Sequence, residues 1–136
     1  MKNMALCDAA GRVILAEVMV AQTLRERLGG LLVLPPLRAG QGLLLLKCGS
    51  IHTVGMRYAL DIVFLDRTGL IKKIVQDLRP LRQAGCWRAA VTLELPAGAA
   101  QRLGLQVGQQ LRWNQNAPVS AISPPVATRT ATGVLQ

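Results

Sequence analysis

Aromatic side chains are scarce: Tyr58, Phe64, Trp87 and Trp113 are the whole set, 3% of the chain. A core built on ring packing is therefore excluded, and so is a platform of successive rings on which single-stranded bases could stack. Acids are also few, seven Asp and Glu against sixteen Lys and Arg, which leaves a net charge of +9. That balance implies attraction to anions such as nucleic acid, acidic lipid headgroups or an acidic protein, unless the charge simply solvates exposed faces. Histidine occurs once, at His52. The three cysteines, Cys7, Cys48 and Cys86, are odd in number and show no Cys-x-x-Cys spacing, which excludes a secreted disulfide framework and implies a reducing compartment. No apolar run approaches the length of a bilayer crossing. The stretch Val13 to Val20 is broken by Glu17 and preceded by Asp8 and Arg12, so neither a signal peptide nor a membrane helix is expected, and the expected location is cytoplasmic.

What is present is 136 residues at 51% hydrophobic content, enough for one domain with a core of Leu, Val, Ile and Ala. Two segments, Met4 to Cys7 and Arg12 to Val20, flank Asp8-Ala9-Ala10-Gly11, an Asp-x-x-Gly turn that predicts a hairpin. Thr23 to Glu26 has capping-box spacing, with Gly29 and Gly30 placed to end a short helix. Leu31 to Leu34 stops at Pro35-Pro36, and a loop from Arg38 to Gly42 leads to a buried strand at Leu43 to Leu46. Leu60 to Leu65 reads as a strand covered on both faces, turning at Asp66-Arg67-Thr68-Gly69 into a return strand from Leu70 to Gln76. Arg79 to Gly85 has loop composition around Pro80. Val91 to Leu95 alternates with period two and reads as a strand with one face in water. A small helix from Ala99 to Leu103, closed by Gly104, and a last strand near Gln109 to Trp113 follow. The fold class is thus all-β, a mostly antiparallel sandwich or barrel with two short helices, spanning residues 1–113. Residues 114–136, rich in Pro, Ser and Thr with Arg129 as their one charge, are expected to be a disordered tail.

The chemistry concentrates between Cys48 and Asp66. Asp61 is the one charge inside an apolar strand, so it needs a hydrogen-bonded or ionic partner, for which His52, Arg57 and nearby backbone amides are the candidates. Arg57 could instead hold a carboxylate or phosphate from a ligand, or pair with Asp61 or Asp66. A zinc site from Cys48, His52, Cys86 and Asp61 lacks any paired ligand element, and no metal or other cofactor is expected. A thiolate at Cys48, activated by His52 and oriented by Asp61, is conceivable as a thiol or hydrolase-like enzyme, but no nucleophile elbow or oxyanion loop surrounds Cys48. The main expectation is a small binding or accessory module using Ser50, His52, Thr53, Met56, Arg57 and Asp61. Its ligand would be a small anion or a protein partner. The basic window Arg67, Lys72, Lys73, Arg79, Arg82 and Arg88, which contains a single acid, Asp77, suggests sequence-blind association with anions or nucleic acid as a third possibility.

The order of these pieces resembles a widespread prokaryotic family, domain of unknown function 192. The resemblance is carried by Arg27-Leu28-Gly29-Gly30-Leu31, by Gly42-Leu43-Leu44, by the run from Ser50 to Asp66, by Leu93-Glu94-Leu95-Pro96-Ala97-Gly98 and by Leu103 to Gly108. It covers about Ala21 to Leu111. The chain departs from the usual pattern at Ala59, where proline is common, and at Gln109, where an acid is common. The resemblance implies a compact β-sandwich or barrel-like domain with short helices and no established activity. Many relatives carry an N-terminal export or membrane segment, and this chain resembles a cytoplasmic form.

Overall fold

The computed structural model describes residues 2–21, 36–47, 49–52 and 58–114, with the backbone alone at 2, 51, 52 and 114. The helix expected at Thr23, the run from Leu31 to Leu34 and residues 115–136 lie outside the described residues. The described strands are β1 (Lys2–Asp8), β2 (Val13–Ala21), β3 (Gln41–Leu46), β4 (Ser50–His52), β5 (Leu60–Leu65), β6 (Ile71–Leu78), β7 (Gln83–Gly85), β8 (Val91–Pro96) and β9 (Leu111–Asn114). Between β8 and β9 lies a short helix, α1 (Ala99–Arg102).

Seven strands form one mixed sheet in the order β6-β5-β8-β3-β2-β1-β9, and β4 and β7 form a separate two-stranded ribbon. The β2–β3 pair is parallel and the others are antiparallel. Both expected Asp-x-x-Gly turns form. Asp8 Oδ1 accepts from the amides of Ala10 and Arg12, at 3.0 and 2.9 Å. Asp66 Oδ1 accepts from the Thr68 amide, the Thr68 hydroxyl and the Leu70 amide, at 2.8, 2.7 and 3.0 Å. The Thr68 hydroxyl is the main reason the Asp66 carboxyl is held below its usual range. In each turn Gly supplies the positive φ that other residues resist, 84° at Gly11 and 90° at Gly69.

The sheet curls until its two edges meet. Leu70 bridges Gln110, and backbone amides of Ile71, Gly108 and Leu111 donate to Gln109, Ile71 and Gly69, each at 2.9 Å. This seam makes the sheet barrel-like. Inside are Leu6, Leu15, Val18, Val20, Leu44, Val63, Leu65, Ile71, Leu93, Leu95 and Leu111, with Ala99 and Ala100 of α1 packed against them. Gly69 is indispensable to the seam, because a Cβ there would run into the Leu111 carbonyl. Gly69→Ala should therefore cost roughly 2 kcal/mol, combining the left-handed φ with that clash, and a chemical-denaturation midpoint equal to the parent's would refute this account of closure.

A second apolar cluster lies on the outside of the sheet. It comprises Ala21, Leu37, Leu43, Leu45, Leu60, Ile62, Phe64 and Leu78, with Met19, Tyr58, Val75, Ala84, Cys86 and Ala89 packed at its edge. Two expectations need correction because of it. The segment Arg79 to Gly85 is not all loop: Gln83–Gly85 is β7, paired with β4 and tied to β6 by Lys73 Nζ donating to the Gly85 carbonyl at 2.9 Å. Strand β8 does not turn one face to water, since Thr92 and Glu94 are as buried as Val91, Leu93 and Leu95. The alternation reports two different buried faces.

Candidate functional site

The register of β5 decides where Asp61 points. Leu60, Ile62 and Phe64 face the outer cluster, so Asp61, Val63 and Leu65 face the barrel interior. Asp61 is fully buried, and both of its carboxylate oxygens are engaged. Oδ1 accepts from the Asp77 amide at 2.9 Å and Oδ2 from the Ala100 amide at 3.0 Å. Each donor needs an acceptor for a local reason. Asp77 sits at a positive φ of 53° in β6, where the register with β5 slips between Leu60 and Ile62, so the bulge leaves its amide out of the ladder. Ala100 is in the first turn of α1, whose N-cap is Gly98 and brings no capping side chain. Asp61 caps that helix from a distance. The backbone amides it takes are not the nearby ones expected: they lie sixteen and thirty-nine residues away in sequence.

The other expected site residues are placed elsewhere. Ser50 and His52 belong to β4, where they pair with Gly85 and Gln83 of β7, and Ser50 is exposed. The β4–β7 ribbon lies over the outer cluster through Ala84 and the adjoining Cys86. Asp61 and the ribbon are therefore on opposite faces of the sheet. Cys48, Thr53, Met56 and Arg57 lie outside the described residues.

The outer face holds a residue that the sequence reading did not single out. Glu94 is paired across the sheet with Leu43 on β3 and Ile62 on β5, two apolar neighbours on the same face. Only 8% of it is exposed, and among the described residues no hydrogen bond or ion pair reaches its carboxylate. Burial pushes the Glu94 carboxyl up to about 7. Close by, the Tyr58 hydroxyl is buried with no hydrogen-bond partner. Its pKa is raised by burial and then by the negative charge of Glu94, while the Leu37 backbone offsets part of the rise without reaching hydrogen-bond geometry. The signal that could have found Glu94 is the Leu-Glu-Leu-Pro run itself, had β8 been recognised as a central strand with neighbours on both sides.

The model of domain-of-unknown-function family 192, described as "uncharacterized ACR", matches residues 6–113. The chain belongs to that family. One relative is the UPF0127 protein of Thermococcus sibiricus, 26% identical over 135 residues that cover 91% of this chain and 83% of that one. A crystal structure of a protein of unknown function from Novosphingobium aromaticivorans matches with a TM-score of 0.69 at 21% identity, covering 82% of this chain and 84% of that one. A second, of a candidate transcription regulator from Sinorhizobium meliloti, matches with a TM-score of 0.67 at 25% identity, covering 82% and 92%. The family description and the first crystal structure attach no activity to this fold. Among the described residues of this family 192 member, no helix is long and apolar enough to cross a membrane.

Proposed function

We propose that the protein is a small binding module whose ligand site is the outer face of the sheet around Glu94 and Tyr58, beside the ribbon that carries Ser50 and His52. Thr53, Met56 and Arg57 join this proposal as residues of the connection from β4 to Tyr58. Asp61 then serves the site from behind, by fixing β5 and α1. The observation that carries the reading is the buried Tyr58 hydroxyl without a hydrogen-bond partner, close to a Glu94 carboxylate that is 8% exposed and receives no hydrogen bond from the described residues. Buried polar groups in native proteins are nearly always hydrogen-bonded, so an unpaired hydroxyl beside an unpaired carboxylate calls for an occupant. A fragment screen read by amide NMR tests it. Binding should perturb Leu43, Ile62, Tyr58 and Glu94, and weaken in both Tyr58→Phe and Glu94→Gln. Hits confined to the hollow formed by Thr68, Leu111, Arg112 and Trp113 would overturn it.

A second reading, association with a polyanion, is supported by Trp87, which is 87% exposed with the Arg88 guanidinium 4.6 Å over its ring, next to the basic residues of β6 and the turn after it. The description of the Sinorhizobium meliloti protein as a candidate transcription regulator points the same way. With a single exposed ring and no groove-reading helix among the described residues, such binding is expected to be electrostatic and blind to sequence. Anisotropy of labelled duplexes across a salt series should show affinity falling steeply and equally for unrelated sequences. Selective binding that survives high salt would sink this reading.

A further inference from the structure

We propose that the outer-face site takes a small organic cation, an alkylammonium or alkylguanidinium, with Glu94 as its carboxylate partner and Tyr58 as the second polar contact. The proposal rests on the reading of the outer face as the ligand site and adds the charge of the ligand.

Four observations favour a cation. The side chains that flank Glu94 across the sheet, Leu43 and Ile62, are apolar and cannot donate a hydrogen bond. No Lys or Arg among the described residues pairs with it, although the chain has sixteen such residues and several pair with other groups. A phenol stands close enough for the Glu94 charge to act on it, and its hydroxyl can accept from an N–H. The walls formed by Leu37, Leu43, Ile62 and the edge residue Met19 suit the alkyl stem of such a ligand. An anionic ligand would place like charges together in a weakly screened setting, the least favourable pairing there.

The test uses the full chain at pH 8 with four short-chain alkyl probes: n-butylammonium, n-butylguanidinium, neutral N-butylacetamide and butyrate. Affinities are read by thermal shift and by the carbon resonance of the Glu94 carboxylate. Both cations should bind at least about tenfold more tightly than the neutral probe, the margin between a charge-assisted and an ordinary hydrogen bond, and butyrate should not bind. Glu94→Gln should remove that preference while leaving the protein folded, and Tyr58→Phe should weaken both cations together. If the neutral probe or butyrate binds as well as the cations, and does so through Glu94 and Tyr58, the cation proposal fails and the outer-face site stands. If no probe shifts the Glu94 resonance, or if binding is unchanged in both variants, the site reading fails with it. A Glu94→Gln protein much less stable than the parent would show that the charge already has a partner within the chain, and would also overturn the proposal.

Discussion

Asp61→Ala should destabilise the protein by about 3 to 5 kcal/mol, because it strands two buried amides and leaves a void at the barrel end. The two donors belong to different elements, Asp77 in β6 and Ala100 in α1, so one truncation loosens both the β5–β6 bulge and the helix that packs against the interior. Asp61→Asn should cost less, on the order of 1 to 3 kcal/mol, since an amide keeps one acceptor oxygen but turns a second donor toward an N–H. Urea unfolding of the purified variants gives the ordering. His52→Ala, in the separate two-stranded ribbon, is expected to cost less than either. An Asp61→Asn protein as stable as the parent would refute the structural role, and a loss of ligand binding without loss of stability would make Asp61 part of the site.

Glu94→Gln should act in the opposite direction, and its effect should depend on pH. Burial pushes the carboxyl up to about 7 in the folded protein from its ordinary 4.5, so the folded state binds the proton more tightly than the unfolded chain. The stability linked to Glu94 is therefore fully present below about pH 4.5, falls as pH rises, and is lost above about pH 7. Its size is on the order of 3 kcal/mol for a shift of this extent. Removing the titration should flatten the pH–stability curve between those limits and make the variant the more stable protein at pH 8. Differential scanning calorimetry at pH 5, 6.5 and 8 measures this, and parallel curves for parent and variant would contradict it. Two buried carboxylates of one sheet are thus expected to move stability in opposite senses. Asp61 has donors on both oxygens and Glu94 has none among the described residues.

Much of this fold was legible because its signals are local. Strand β5 runs from Leu60 to Leu65 as its unbroken apolar run predicts, and the Asp-x-x-Gly turns at Asp8 and Asp66 form with the carboxylate contacts expected of them. The helix after Pro96 ends one residue before the expected Leu103, which is its C-cap. What escaped depends on distant residues. Alternation in Val91 to Leu95 is the ordinary mark of a strand with a wet face, and only the outer cluster, assembled from β2, β3, β5, β6 and Tyr58, reveals that Thr92 and Glu94 are also covered. By alternation alone, Glu94 falls on the face assigned to water. The need for a partner at Asp61 could be read from its flanks. Its actual partners are backbone amides sixteen and thirty-nine residues away, which no side-chain pattern encodes.

The seam between Gly69 to Ile71 and Gly108 to Leu111 also bears on how the chain acquires its shape during synthesis. Strand β1 has β2 on one side, but its other side is filled by β9, and the same C-terminal stretch supplies the carbonyl and amides that meet β6. Until residues 108–114 have been made, the growing chain carries two unfinished strand edges, flanking an interior that includes Leu6 and Ile71. Such edges are templates for pairing with other chains. Closure must also bring together parts of the sequence about a hundred residues apart, which slows the final step relative to the hairpins. A ribosome pausing before β9 would thus hold a nearly complete sheet in its stickiest form, and truncations that remove β9 should be recovered as aggregates rather than as smaller folded barrels.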